Sequence, residues 1–244
     1  MSEHDVVLYG NDSEALTRCV VAFIASSLQE GNAAVVIATA EHERAFRSAL
    51  AGLALDPSSR EVQDRLVFLN AADTLRRMGV NGHVEPALFS RFVGSVLKKL
   101  GARYTVHAYG EMVGILRAAG RTETADQLER LWSELLLEVP AHLLCGYPID
   151  VLGSEFHPAE VDGILTSHAK LLSVLPNLES SLSAGVESTL GLQRAAAIRG
   201  MIEAHRRPRW AALPEPEATL LWLRERLPEH ADEIVARAKE RYQQ

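Results

Sequence analysis

A short apolar run, a helical stretch and a wholly apolar second run follow one another within the first forty residues. Residues 6–9 predict a strand, the periodicity of residues 14–29 predicts a helix, and residues 33–38 are apolar throughout. A strand without polar alternation is typical of a sheet that is covered on both faces, and such sheets are usually parallel. The opening therefore predicts a strand–helix–strand unit with a right-handed crossover.

Strand and helix patterns keep alternating over the next hundred residues. Residues 70–85, which include Gly79 and Gly82, predict an exposed connection, and two helices are expected before Gly101. Five strands that alternate with helices predict a three-layer α/β core with a mainly parallel sheet. The further predicted strands lie at 66–69, 104–109 and 141–145, and the further helices at 41–53, 112–119 and 122–138.

The remainder of the chain has a different character. We assign residues 4–175 to the α/β domain and residues 176–244 to a C-terminal helical extension. Residues 179–187 are rich in serine and show no clear period. Helices are expected in this extension at 190–205, 218–226 and 229–242.

Composition restricts the classes of partner. A formal net charge of −7 at pH 7 argues against binding to nucleic acid, because that binding depends on clustered Lys and Arg. Only two cysteines are present, which suits a reducing compartment. Neither a secretory signal nor an apolar run of membrane-spanning length is apparent. We expect a soluble cytoplasmic protein.

The turn after the first strand resembles a phosphate-binding loop only in its position. It reads Gly10-Asn-Asp-Ser-Glu-Ala-Leu-Thr17 and therefore lacks the second Gly and the Lys of that motif. It also carries two carboxylates where phosphates would lie, which disfavours ATP. Asn11, with Glu14 three residues later, predicts a variant capping box and is a candidate ligand contact. We expect a degenerate P-loop without ATPase or kinase activity.

Two later turns place polar side chains at the carboxyl ends of predicted strands, where α/β sheets usually bind ligands. Glu41 follows the second strand and is explained by the positive end of the next helix, whereas His42 is not required for capping. Glu111 follows Gly110 after the strand at 104–109. Its carboxylate either faces a cleft or caps the helix that starts at Met112, and the sequence leaves both interpretations open.

The remaining candidates have plausible structural explanations. Trp132 belongs to an apolar stripe that predicts a core position, and Cys145 fits an unreactive buried thiol. His142 should point to the opposite face of the strand from Cys145. Tyr147 ends that strand and is expected to line a pocket, and His168 is expected on a helix. The spacing of Cys and His predicts neither a metal site nor a cofactor.

Taken in order, these motifs resemble the MEDS family, the methanogen/methylotroph sensory domain named after the dichloromethane-dehalogenase repressor. The resemblance spans roughly residues 4–174 and includes a GEM-type turn. Gly146 stands where the family more usually has alanine, and residues after Val174 show neither a kinase region nor a helix-turn-helix. The matching segments are His4-Asp-Val-Val-Leu-Tyr9, Thr39-Ala-Glu-His42, Tyr109-Gly-Glu-Met-Val113, Leu128-Glu-Arg-Leu-Trp132, Leu144-Cys-Gly-Tyr-Pro148 and His168.

The resemblance implies a RecA-like or KaiC-like core that senses a small organic molecule, such as a hydrocarbon derivative. It brings forward His42, Glu111, Trp132, Cys145, Tyr147 and His168 as matching positions. A flavodoxin-like strand order has the same alternation of elements, so the order stays open.

Two main hypotheses follow from the sequence. In the first, a cleft edged by Asn11, His42, Glu111 and Tyr147 binds the ligand, and the helical tail passes the change to a kinase, a response regulator or the transcription machinery. In the second, the chain is a non-catalytic assembly protein that binds copies of itself or a signalling partner. A third and weaker alternative is an ATPase-like nucleotide-binding protein.

Overall fold

The computed structural model describes residues 3–80, 82–175, 177–205 and 208–242. The chain forms two compact units, Met1–Pro148 and Ile149–Gln244. The first unit contains the alternating strands and helices, and the second is mainly helical. The predicted α/β fold with a parallel sheet and C-terminal helices is confirmed.

The first unit follows the predicted alternation closely. Its strands are β1 (Glu3–Leu8), β2 (Ala33–Ala38), β3 (Leu66–Asn70), the two-residue strands β4 (Gly79–Val80) and β5 (His83–Val84), β6 (Val106–Gly110) and β7 (Ala141–Tyr147). Its helices are α1 (Ser13–Gln29), α2 (Ala40–Gly52), α3 (Arg60–Gln63), α4 (Ala71–Met78), α5 (Pro86–Phe89), α6 (Ser95–Gly101), α7 (Met112–Ala118) and α8 (Thr122–Glu138).

The five longer strands of this unit are parallel and lie in the order β3-β2-β6-β7-β1. In a flavodoxin-like sheet the first strand lies between the second and the third sheet strands. Here β1 lies beyond β7 instead, so the flavodoxin-like alternative is wrong. The chain leaves β2 toward β3 and leaves β6 toward β7, in opposite directions along the sheet. The gap between β2 and β6 is therefore a topological switch point.

Helices cover both faces of this sheet. Phe23 of α1 packs edge-on against His107, while Trp132 of α8 lies 3.9 Å from where a Cβ on Gly110 would stand. His107 and Gly110 are three residues apart on β6, so they point to opposite faces. Helices α1 and α8 thus enclose the sheet from its two sides, which is the predicted three-layer arrangement. Every residue of β2 is buried, as its uninterrupted apolar sequence requires.

The connection predicted at 70–85 is wrong. This stretch forms α4 and a short antiparallel hairpin of β4 and β5. Asn70 begins α4 by accepting a hydrogen bond from the backbone N–H of Asp73, at 2.9 Å. Gly82 takes a positive φ of 85° in the hairpin, a conformation that favours glycine. The glycines of this turn made the sequence resemble a loop.

The second unit contains α9 (Pro158–Ile164), β8 (Lys170–Ser173), α10 (Leu178–Leu190), α11 (Leu192–His205), α12 (Glu215–Arg226) and α13 (Pro228–Tyr242). The absence of a clear period at 179–187 was misleading, because these residues lie within α10. Helix α10 packs closely on α13, where a Cβ on Gly185 would stand 2.6 Å from the carbonyl oxygen of Ile234. No helix in the described part of the chain has the length and apolar character needed to cross a membrane.

Candidate functional site

Glu111 and His42 meet at the switch point between β2 and β6. Glu111 follows β6 directly, and His42 lies in the first turn of α2, which follows β2. His42 Nδ1 lies 2.7 Å from Glu111 Oε1. The backbone N–H of Thr39 donates to Glu111 Oε2 at 2.8 Å. The carboxylate therefore joins the ends of two neighbouring strands that belong to different parts of the sequence.

Glu111 is only 1% exposed, and donors engage both of its oxygens. Besides His42, the Tyr109 hydroxyl donates to Oε1 at 3.1 Å. Burial and the neighbouring Glu111 raise the pKa of Tyr109, so this hydroxyl keeps its proton. Glu111 occupies the N-cap position of α7, but its side chain makes no capping hydrogen bond. The capping interpretation is therefore wrong, and the carboxylate acts on His42 instead.

Ser13 extends this arrangement toward the surface. Its Oγ lies 3.1 Å from His42 Nε2, and its side chain is part-exposed at the start of α1. A carboxylate only accepts hydrogen bonds, so Nδ1 of His42 carries the proton that faces Glu111. In neutral His42, Nε2 is then an acceptor for the Ser13 hydroxyl. Ser13, His42 and Glu111 thus form a continuous chain of hydroxyl, imidazole and carboxylate.

The surroundings of His42 favour its protonated form. The hydrogen bond to Glu111 raises the pKa of His42 above its ordinary value of 6.5, burial opposes this, and the charges of Glu111 and Glu41 add to the increase. The Tyr9 ring contacts the imidazole edge-on and the Phe46 ring stacks on it, with centroids 5.6 and 5.9 Å away. The ring is therefore fixed by packing on its sides and by hydrogen bonds at both nitrogens.

The capping residue predicted for α1 is wrong by one position. Asp12, not Asn11, is the N-cap, and its Oδ1 accepts from the backbone N–H of Ala15 at 2.8 Å. Asn11 is exposed in the preceding turn. A carboxylate consequently occupies the helix end at which a P-loop would hold phosphate.

The family model described as "MEDS: MEthanogen/methylotroph, DcmR Sensory domain" matches residues 3–169. The chain belongs to the MEDS family. This membership implies a sensory, signalling role. No curated protein and no solved structure matches the sequence significantly.

Two other predicted site residues of this MEDS chain, Trp132 and Cys145, belong to the core of the first unit. Trp132 is 1% exposed and packs edge-on against Phe89, as expected of a core residue. Cys145 is a buried free thiol whose pKa is raised by burial. Both Trp132 and Cys145 lie on the α8 face of the sheet, since Cys145 pairs with Gly110 in the β6–β7 register.

Tyr147 also lies on the α8 face and is buried, with its hydroxyl donating to Glu129 Oε1 at 2.5 Å. The structure thus separates Tyr147 from the cleft that was expected to include it. His168 lies in an irregular segment between α9 and β8, so its assignment to a helix is wrong. Its Nδ1 lies 2.8 Å from the carbonyl oxygen of Ile164.

Sequence reasoning missed three polar residues of the first unit. Ser13 follows β1. The preference of ligands for the carboxyl ends of parallel strands, which indicated His42 and Glu111, therefore also indicated Ser13. Glu129 stands beside Leu128 and Trp132 on the buried side of α8, where a carboxylate is unexpected. His4 lies in β1, 3.3 Å through its Nε2 from Cys145 Sγ. Only the fold brings together residues that are 141 positions apart.

Each unit also contains a cavity that none of the predicted site residues lines. In the first unit a cavity of about 530 Å³ is bordered by α4, the hairpin, α7 and α8, and Arg121 and Thr124 contribute polar groups. In the second unit a cavity of about 270 Å³ lies among α10, α11 and α12, with Leu182, Val186 and Ile198 in its wall.

Proposed function

We propose that the MEDS domain of this chain recognises a small, oxygen-bearing and non-phosphorylated organic molecule through Ser13 and His42. The observation that carries the proposal is the Ser13–His42 pair, fixed from behind by buried Glu111 at the switch point of a parallel sheet. Glu111 has its oxygens engaged already, so it orients His42 and does not contact the ligand. The ligand-facing group is the part-exposed Ser13 hydroxyl, and rotation of this hydroxyl toward the ligand makes His42 Nε2 available as well. These two groups bind alcohol, carbonyl or carboxylate oxygens.

A separate observation supports a ligand that carries no phosphate. The carboxylate of Asp12 accepts from the first turn of α1, where a nucleotide phosphate would need the same amide. ATP should therefore bind poorly, in line with the degenerate P-loop.

A thermal-shift screen tests this recognition. The panel consists of short alcohols, aldehydes, ketones and carboxylates, with ATP and inorganic phosphate for comparison. A compound that binds only the native state at 100 times its Kd stabilises by about 2.7 kcal/mol, which is readily seen as a higher Tm. Ser13→Ala and His42→Gln should remove the shift.

Ser26→Ala is the matched control, because Ser26 is an exposed serine of the same helix and bonds only to Glu30 in the described contacts. It should retain the full shift. The proposal fails if no oxygenated compound stabilises the protein, or if the shift survives in both site variants.

A second candidate function is acyl transfer, favoured by the order of Ser13, His42 and Glu111. In this reaction Ser13 Oγ bonds to a carbonyl carbon while His42 Nε2 takes the hydroxyl proton and then passes it to the leaving group. Water would then attack the acyl carbon while His42 Nε2 takes its proton and returns it to Ser13 Oγ, which releases the acid and restores the hydroxyl.

Labelling by a fluorophosphonate reagent separates reaction from recognition. The second candidate requires labelling of wild-type protein and of Ser26→Ala, and its loss in Ser13→Ala. Ligand-induced stabilisation without labelling would leave recognition as the function.

We further propose that ligand binding is passed to a signalling partner, such as a kinase, a response regulator or the transcription machinery. The support is membership of a family of sensory domains. The free cysteines support a cytoplasmic setting. A reporter of the regulated pathway in the source organism should lose its response with Ser13→Ala and keep it with Ser26→Ala.

A further inference from the structure

Three donor groups of different chemistry converge on the α8 face of the sheet. His4 Nε2 lies 3.3 Å from Cys145 Sγ and 3.7 Å from Glu129 Oε2. These three atoms all lie within 4.8 Å of one another. The residues are 8%, 1% and 5% exposed, respectively. The cluster is therefore an enclosed arrangement and not a solvated surface patch.

The fold explains why these residues meet. In the parallel register of β1 and β7, His4 pairs with Leu143 and Val6 pairs with Cys145. His4 and Cys145 thus project from adjacent strands to the same face, one pleat apart. Glu129 projects toward both residues from α8, one turn before Trp132. Two strands and a helix hold the donors, so the geometry is fixed by the sheet and its covering helix.

Thiolate, imidazole and carboxylate together are a donor set that suits zinc. Magnesium and calcium prefer several oxygen ligands, and this cluster offers one carboxylate. With metal–ligand bonds of about 2.0 to 2.3 Å, neighbouring ligands around a tetrahedral zinc ion are separated by about 3.3 to 3.6 Å. The two distances from His4 Nε2 are close to this range. A small movement of side chains would complete the coordination.

The carboxylate is also oriented as a metal ligand requires. The Tyr147 hydroxyl donates to Glu129 Oε1, so the other oxygen, Oε2, faces His4. Partners of this kind fix the orientation of ligating carboxylates in known sites. Tyr147 is itself 1% exposed and cannot easily turn away.

We propose that His4, Glu129 and Cys145 bind one zinc-class divalent ion, with Tyr147 as a positioning residue. Three protein donors are the number found in catalytic zinc sites, where the fourth position takes water or another donor. The ion would connect β1, β7 and α8 within the first unit. The proposal is independent of ligand recognition by His42, which lies on the opposite face of the sheet.

The experiment uses the full, tag-free chain after treatment with a chelator. Titration with Zn²⁺ should give one bound equivalent and a higher Tm, since metal binding to the folded form stabilises it. Titration with Co²⁺ should give thiolate-to-cobalt charge-transfer absorption, which reports directly on a cysteine ligand. Cys145→Ser, His4→Gln and Glu129→Gln should each lose stoichiometric binding. Tyr147→Phe should weaken binding about 10- to 100-fold.

Two matched variants make the test specific. Cys19→Ser changes the other cysteine, and His142→Gln changes a histidine of β7 that stacks on His107 on the opposite face. Both should keep one equivalent of zinc and the cobalt absorption. The proposal is overturned if wild-type protein shows no saturable zinc binding and no cobalt–thiolate absorption, a result that needs no variant. It is also overturned if Cys19→Ser abolishes that absorption.

Discussion

At the scale of single residues, Glu111 orients His42 and does not cap α7. The sequence left this carboxylate as either a cleft residue or a helix cap. The structure assigns both its oxygens to fixed donors, so its contribution is to hold the imidazole of His42 in one tautomer and one orientation. Because this pair forms in the folded chain, the protonation of His42 is linked to folding.

We expect the stability of the protein to depend on pH through His42. Its pKa is raised in the folded state relative to 6.5, so the His42–Glu111 pair stabilises fully below pH 6.5. That stabilisation is lost as the pH rises through the folded pKa. NMR titration of His42 should give a pKa above 6.5, and Glu111→Gln should lower it.

Urea unfolding provides the second measurement for this pair. The difference in unfolding free energy between wild type and Glu111→Gln should be largest below pH 6.5 and shrink at higher pH. A difference that grows with pH would contradict the linkage. Glu41→Gln, which removes a smaller electrostatic contribution, should change the profile less.

Gly146 provides a further prediction about a single residue. A Cβ at this position would stand 2.3 Å from the Tyr109 hydroxyl oxygen, so an added methyl group does not fit beside Tyr109. Gly146→Ala should destabilise the protein by about 1 to 3 kcal/mol, because overpacking forces neighbours to shift. In urea unfolding, the double variant Gly146→Ala with Tyr109→Phe should lose less unfolding free energy than the two single variants lose in sum. Additive losses would show that the two positions do not interact.

At the scale of elements, α7 crosses unusually close to β7. A Cβ on Gly114 would stand 2.3 Å from the carbonyl oxygen of Gly146 and 3.0 Å from Pro148 Cδ. Backbone atoms cannot rotate away as a side chain does, so the helix and strand would have to separate. The short helix after the GEM-type turn therefore depends on glycine at its third position.

Gly114→Ala should lower the unfolding free energy by about 1 to 3 kcal/mol or more, measured by urea denaturation. Gly52→Ala is the control, since it lies at the end of α2 with nothing within 4 Å of the added Cβ. Alanine has the higher helix propensity, so this control should be neutral or stabilising by up to about 1 kcal/mol. Equal effects of the two changes would contradict the close approach.

Elements with a strong period were predictable, and contacts between distant elements were not. Helix α8 and strand β2 have the predicted bounds, because an amphipathic stripe and an uninterrupted apolar run are local signals. Asn11 and Asp12 are both able to cap α1, and only the backbone path decides between them. His42 and Glu111 were both predicted at the carboxyl ends of strands, where the structure places them in contact. The pairing of His4 with Cys145 required the β7–β1 adjacency, which no local pattern contains.

At the scale of the whole molecule, the C-terminal helices bear on the assembly hypothesis. Within the second unit, α12 and α13 bury Leu220, Leu221 and Ile234, and α13 packs on α10. Deletion of residues 214–244 therefore removes part of a packed core as well as any interface. The loss of a partner in such a deletion would not distinguish assembly from folding.

We expect that deletion to lower the Tm and to speed hydrogen exchange in α10, measured by calorimetry and mass spectrometry. The reason is the loss of apolar burial, at about 25 cal/mol per Å². Unchanged exchange in α10 would contradict the packing described. A cleaner test of assembly is light scattering on Leu192→Glu, since this side chain is 71% exposed on α11 and its replacement leaves the core intact.

The position of Trp132 gives the molecule an internal optical probe. It is the only one of the three tryptophans in the first unit, and it packs beside Gly110, the residue before Glu111. The other two, Trp210 and Trp222, belong to the second unit. A chain with both of those replaced by phenylalanine would emit from a single buried indole beside the switch point. Ligand binding at Ser13 and His42 and metal binding at Cys145 would then be followed by the intrinsic fluorescence of one side chain, without any attached dye.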